Sequence, residues 1–207
     1  MRTPLDNKQA DRPERRTALV ARELARYSVD VAALSETRLA DQGRLTETGG
    51  GYTFFWSGRG LKERRESGVG FAVKSHLLQK LTKLPVGHSD RLMSLQLPLS
   101  KGRNATLISA CAPTMTYSDD IKDKFYDELS TLITTIPRAD KIFVLGDFNA
   151  RVGADHHSWN GIIGKQGIGK CNSNGLLLLK MCAAFDLSIT NTMFRLPKHK
   201  KTSWMHP

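Results

Sequence analysis

The 207-residue chain reads as an α/β protein in which two packed β-sheets are covered on the outside by helices. Two observations predict this class: short apolar strand patterns outnumber helical ones, and helical patterns return between groups of strands. A hydrophobic share of 40% over this length suffices for one domain with its own core, so residues 1–207 are taken as a single domain.

Asp11, ahead of Arg12-Pro13-Glu14, can cap a first helix whose apolar stripe is Leu19, Val20, Leu24 and Tyr27. Residues 29–35 are apolar apart from Asp30 and read as a buried strand that delivers Glu36 to its C-terminal end. Gly49, Gly50 and Gly51 turn the chain into an aromatic-rich strand at 52–56, and a charged loop at 59–66 separates this from a strand at 68–73. Arg91, Met93, Leu95 and Leu97 alternate with Leu92, Ser94 and Gln96, and 105–111 repeats the strand pattern.

Ser118 can cap a second helix, in which Ile121, Phe125, Leu129, Leu132 and Ile136 recur at helical spacing until Pro137 ends it. Residues 141–146 form another buried strand. Residues 153–170, rich in Gly, His and Asn, read as a long functional or mobile loop. A third helix at 175–185 and a strand at 187–191 follow.

Thirty-one Lys and Arg against 20 Asp and Glu give a net charge of +11, which attracts polyanions and makes nucleic acid the natural partner. A basic excess spread for solubility explains the charge equally well. Cys111, Cys171 and Cys182 are an odd number with no CxxC pair, which argues against a disulfide framework and a structural zinc site. No stretch has the length of a signal-peptide core or a membrane span, so the expectation is a soluble intracellular protein without membrane attachment.

The chemistry lies in the carboxylates. In Gly146-Asp147-Phe148-Asn149 an acid and an amide two residues apart follow an apolar strand and would project from the same side if the extended form continued. That arrangement suits holding a water and a phosphate, while a turn in which Asp and Asn satisfy their own backbone explains it as well. Glu36 also ends an apolar strand, where a lone carboxylate suits one or two bonds to Mg²⁺ with waters completing the octahedron. A surface salt bridge with Arg38 or Arg44 is its plainer explanation.

Leu-Ser-Glu-Thr-Arg at 34–38, Gly-Val-Gly-Phe-Ala-Val at 68–73, Ala-Pro-Thr at 112–114, Leu-Gly-Asp-Phe-Asn-Ala at 145–150 and Asn-Thr at 191–192 stand in a characteristic order. In them the chain resembles the endonuclease/exonuclease/phosphatase (DNase I-like) superfamily. The run at 12–53, with Gly-Gly-Tyr-Thr-Phe-Phe-Trp at 50–56, resembles the craniofacial development protein 2-like group, itself similar to apurinic-type endonuclease domains of non-LTR retrotransposons. The resemblance implies a four-layer α/β/β/α sandwich and hydrolysis of phosphodiesters in DNA with Mg²⁺, or Mn²⁺ in its place. It also implies that Glu36 binds the metal, Asp147 orients or deprotonates the attacking water, and Asn149 hydrogen-bonds the scissile phosphate. Such displacement needs charge neutralisation, an oriented nucleophile and a donor to the phosphate oxygens.

Set against that pattern, the chain is expected to lack the family's first strand and its C-terminal strands, with the Asn and the closing Asp-His pair they carry, so catalysis would be impaired. Asp155-His156 is read as a loop feature, and Cys111 stands where the family has a Tyr that donates to the phosphate. Lys198, Lys200 and Lys201, beside His199, are the better candidates for phosphate contacts; Arg64 and Arg65, diluted by Glu63 and Glu66, read more readily as a solvated loop. Trp56 and Trp204 could stack on bases but fit a core as well. Three functions follow: a DNA endonuclease, with RNA as the alternative polyanion and the nucleus as a fitting location; an inactive nucleic-acid-binding or protein-interaction remnant; or an enzyme acting on small phosphoesters.

Overall fold

The computed structural model describes residues 13–197. The described residues gather into two compact units, the first comprising 13–111 with Arg138–Gly146 and the second Ala112–Pro137 with 147–197.

The first unit contains both sheets. One has the order β1-β4-β3-β2, from β1 (Val31–Ser35), β2 (Gln42–Glu47), β3 (Tyr52–Ser57) and β4 (Val69–Lys74), all antiparallel. The other has the order β5-β6-β7-β8, from β5 (Val86–Gly87), β6 (Leu92–Pro98), β7 (Asn104–Cys111) and β8 (Lys141–Asp147). The Asp140 carboxylate accepts from the Asn104 N–H, and a Cβ on Gly146 would run into the Ala110 backbone, so β8 runs parallel to β7.

Burial of both faces explains why β3 and β4 carry apolar side chains at successive positions. Phe55, Val69, Phe71 and Val73 point inward and pack with Met93, Leu95, Ala105, Leu107 and Cys111 of the opposing sheet. Tyr52, Phe54 and Ala72 point outward and are covered by α1 (Pro13–Arg26) through Ala21 and Leu24. A Cβ on Gly50 would come within 2.4 Å of the Ala21 Cβ, so the turn into β3 needs glycine to let the helix sit down. Tyr52 fixes the same layer by donating its hydroxyl to the Val29 carbonyl.

Several expectations need correction here. Leu19 (60% exposed), Val20 and Tyr27 are exposed; the buried face of α1 is set by Ala21 and Leu24. The proposed cap Asp11 lies outside the described residues. Strand β2 was not expected, because Gln-Gly-Arg-Leu-Thr-Glu is polar; it is an edge strand whose half-buried residues alternate with exposed ones. Strand β8 is not buried, since Phe143 (51% exposed) and Leu145 (37%) share an open face at the edge of the second sheet.

A one-turn helix, α2 (Ser75–Leu78), follows β4 in the first unit, and the second unit contains α3 (Asp119–Thr134) and α4 (Ser173–Ala184). Ser118 occupies the cap position of α3 without a side-chain bond, and the buried face is Lys122, Phe125, Tyr126, Leu129 and Ile133, leaving Ile121 exposed. The expected strand at 187–191 reduces to a single parallel bridge, Ile163 with Ile189. Thr192 turns the chain there by directing both its N–H and its hydroxyl to the Ile189 carbonyl, which starts a one-turn 3-10 helix at Thr190–Thr192. The loop at 153–170 is tied to this turn: Gly164 N–H donates to Thr192 Oγ1 at 2.8 Å and Gln166 N–H to the Thr192 carbonyl at 2.9 Å. No described helix is long and apolar enough to cross a membrane.

Candidate phosphodiesterase site

Glu36 stands where β1 stops pairing with β4, one residue past the Ser35–Val69 pair. Its φ of 52° is left-handed, as is that of Arg38 at 53°, and such conformations in non-glycine residues cluster where backbone is held for a purpose. The holding bonds are Thr37 N–H to the Gly68 carbonyl and Arg38 N–H to the Ser67 carbonyl. Gly68 itself has φ 126°, and a Cβ there would meet Thr37 Oγ1 at 2.3 Å. The Glu36 carboxylate is half-exposed and lies 3.5 Å from the Arg38 guanidinium. The ion pair expected as the plainer explanation is therefore formed with Arg38.

A second carboxylate belongs to the same end of this unit. Ser57, Val69 and Ser35 are register partners, and Ser57 Oγ donates to the Ser89 carbonyl at 2.8 Å, which brings the turn before β6 to the strand ends. Asp90 in that turn accepts from Arg59 Nε at 2.9 Å and from Ser67 Oγ. Burial works to raise its pKa, but the Ser67 and Arg59 hydrogen bonds and the charges of Arg91 and Arg59 outweigh this and hold it below the ordinary value. Asp90 was missed in the sequence; the signal was the Ser-Asp-Arg run just before a strongly alternating strand.

Asp147 and Asn149 belong to the second unit, where they come together. The Asn149 N–H donates to Asp147 Oδ1 at 2.9 Å, and Asn149 adopts φ 47°. The extended form therefore ends at Asp147, and the two side chains do not project as alternate strand residues would. This is the self-satisfying Asx turn that the sequence allowed. Asn149 also sends Nδ2 to the Ala112 carbonyl at 2.9 Å, while the Ala112 N–H donates to the Asp147 carbonyl at 2.9 Å. Asp147 is exposed beside this lattice of bonds.

The first turn of α4 completes it with residues the sequence reading passed over. Asn172 caps the helix, accepting from the Gly175 N–H at 2.8 Å and from the Arg151 N–H at 3.0 Å. Asn174, 1% exposed, donates Nδ2 to the Pro113 carbonyl at 3.0 Å and to the Asn149 carbonyl at 3.1 Å. A Cβ on Gly175 would approach the Arg151 carbonyl to 2.0 Å. The Asn-Ser-Asn-Gly run just before an apolar helix was the available signal, a cap followed by a glycine at a close approach.

The other candidates fare differently. Cys111 is 3% exposed and packs in the core between the sheets, so its thiol does not stand as a weak phosphate donor. Arg64 and Arg65 lie in an exposed loop, where Arg64 pairs with Glu66 at 3.0 Å, as a solvated loop would. Lys198, Lys200 and Lys201, with His199 and Trp204, lie outside the described residues. Asp155 caps its own loop, accepting from the Ser158 N–H at 3.1 Å and from Ser158 Oγ at 2.7 Å. Trp56 rests over Gly43 and donates its indole N–H to the Ala40 carbonyl at 3.2 Å, a structural placement.

Residues 5–199 match the family model described as Endonuclease/Exonuclease/phosphatase family. Craniofacial development protein 2 of Bos taurus is 29% identical over 189 residues, which is 91% of this chain and 31% of that protein. The protein of the same name from Tragulus javanicus is 29% identical over 189 residues, 91% of this chain and 32% of that one. The chain thus spans about a third of the length of these curated relatives. Among solved structures, the AP endonuclease LMAP from Leishmania major superposes with a TM-score of 0.56 at 14% identity, covering 83% of this chain and 62% of that one. That likeness is one of fold, an α/β sandwich of two packed sheets with helices.

Proposed function

Because the chain belongs to the endonuclease/exonuclease/phosphatase family, we propose that it hydrolyses phosphodiesters in DNA with Mg²⁺, as an endonuclease of the apurinic or retrotransposon kind. The observation that carries this reading is the turn at Asp147. Its carboxylate is exposed at the end of a strand yet fixed in one orientation through Oδ1, as a group that orients or deprotonates a water must be. Asn149 spends an amide hydrogen on Ala112, and its second is the donor for a phosphate oxygen.

Glu36 fits Mg²⁺ through the chemistry of its donor: a hard, half-exposed carboxylate at a strand end, for an ion that takes one or two carboxylates and keeps several waters. No richer cluster of three or more His, Cys, Asp or Glu side chains occurs among the described residues. When bound, the ion would neutralise charge developing on the phosphate; Mn²⁺ is the alternative. DNA as the substrate is supported by the net charge of +11, which serves RNA as well.

The test is nicking of supercoiled or abasic plasmid by the purified chain with and without Mg²⁺, beside Asp147→Ala and Glu36→Ala. Cleavage that needs the metal and both acids is expected. Cleavage indifferent to Asp147 would sink the assignment. The Glu36–Arg38 ion pair favours a second reading, an inactive nucleic-acid-binding or protein-interaction remnant, because it already occupies the proposed metal ligand. DNA binding without any metal-dependent nicking would establish that one instead.

A further inference from the structure

We propose that Asn174 is a positioning residue for the phosphate step, setting the Asn149 side chain through its main-chain carbonyl; this rests on the role given above to Asn149. Asn174 is buried at the second position of α4, where a helix-favouring or apolar residue would cost less. Its Nδ2 instead bridges two carbonyls, those of Pro113 and Asn149, from segments far apart in sequence. Its Oδ1 is buried and has no hydrogen-bond partner. An unsatisfied buried acceptor is unfavourable, so the side chain is oriented to donate twice at the expense of its own oxygen.

The bonds close into a frame. Asn174 grips the backbone at Pro113 and Asn149, the Asn149 side chain grips Ala112, and Ala112 N–H grips the Asp147 carbonyl. Asn149 sits in a left-handed conformation at φ 47°, and holding its N–H on Asp147 Oδ1 and its carbonyl on Asn174 Nδ2 sets the direction in which its Cα–Cβ bond leaves the backbone. Without Asn174 the Asn149 peptide loses this anchor to the helix, and the donor meant for the phosphate is no longer preset. Small misplacements of positioning groups cost up to about a hundredfold in rate.

The experiment compares wild type, Asn174→Ala, Asn174→Asp and Asn174→Ser by two readouts, kcat and KM for plasmid nicking and the NMR signals of the Asn149 side-chain amide. Asn174→Asp keeps the volume but turns both donors into acceptors facing carbonyls; Asn174→Ser keeps one donor and serves if the others fail to fold. The expected result is a shifted, faster-exchanging Asn149 amide and a kcat lowered roughly tenfold to a hundredfold at unchanged KM. The same change in an Asn149→Ala background should cost little more. An Asn149 amide signal identical in wild type and variants overturns the proposal whatever the activity. A wild type that cleaves nothing, with the amide still displaced in the variants, overturns the nuclease reading and leaves Asn174 as the residue that sets Asn149.

Discussion

Asn149 and Asp147 are joined by a backbone N–H to Oδ1 bond of 2.9 Å, so the acid proposed to handle the water is also the acceptor that closes the turn. The two roles separate by substitution. Asp147→Asn keeps a carbonyl oxygen for the turn and loses the charge, so its thermal unfolding should match wild type while nicking falls by about two to three orders of magnitude. Asp147→Ala loses both and should also melt lower, by about 1 kcal/mol of turn stability. Parallel melting and nicking measurements check this; a fully active Asp147→Asn would leave Asp147 with the structural role alone.

Glu36 and Arg38 form an exposed pair 3.5 Å apart, which Mg²⁺ would have to displace or share. Such pairs are worth about 0–1 kcal/mol, so the competition is mild. Arg38→Ala should lower the Mg²⁺ concentration for half-maximal nicking by up to about fivefold, and Glu36→Gln should raise it far more. If Arg38→Ala leaves the metal requirement unchanged, Glu36 is not the ligand that Arg38 screens.

Cys111, which stands at the position expected to match the family's tyrosine, is buried between the two sheets. A phenol at this position would have to enter the core against Phe55, Val69 and Met93. Overpacking of this kind costs about 1–3 kcal/mol, occasionally more. Cys111→Tyr should therefore lower the melting temperature and give no gain in nicking, which a melt and a single nicking assay decide.

Most strands were legible in the sequence, clearest among them the two buried on both faces: Tyr52–Ser57 and Val69–Lys74 are rich in apolar residues at successive positions because each face meets its own layer. Edge strands were harder. Gln42–Glu47 is polar enough to pass for a loop, and its pairing is set by the neighbour, where Gly43 makes room for Trp56. Phe143 and Leu145 show the converse, since their composition promises a core and only the sheet order reveals an edge. Among the candidate residues, Glu36, Asp147 and Asn149 stood out because acids and amides at strand ends are conspicuous. Asn174 and Asp90 did not, since their significance lies in what they touch across sequence separations that no local pattern encodes.

Asp90 makes part of the fold sensitive to acid. Its pKa is depressed in the folded chain, because Ser67, Arg59 and Arg91 together outweigh the burial that would raise it. A depressed carboxyl contributes stability above its unfolded value, about pH 4, and that contribution is lost as pH falls through the folded value. Wild type should accordingly lose stability below about pH 4. Asp90→Asn should be less stable at neutral pH by about 1–3 kcal/mol and show a flatter acid limb, measured by urea unfolding across pH. Equal slopes for the two proteins would remove Asp90 from the acid response.

Binding to DNA is expected to be sequence-independent and steeply weakened by salt. The net charge of +11 attracts phosphates whatever the base sequence. Point charges on loops neutralise phosphates and release counterions, so each phosphate contact adds about 0.9 to the slope of log affinity against log salt. The contributors should be unequal. Arg64 is already engaged by Glu66 and Arg59 by Asp90, so their loop has less charge to offer. Lys198, Lys200 and Lys201 have one intervening His and no acidic neighbour in sequence. Charge reversal of these three lysines should therefore weaken binding most and flatten the salt slope by up to about three units. Reversal of Arg64 and Arg65 should do less. Fluorescence anisotropy on duplexes of unrelated sequence across a salt series measures both effects, and an affinity that holds constant from low to high salt would show that charge is not what brings this chain to a nucleic acid.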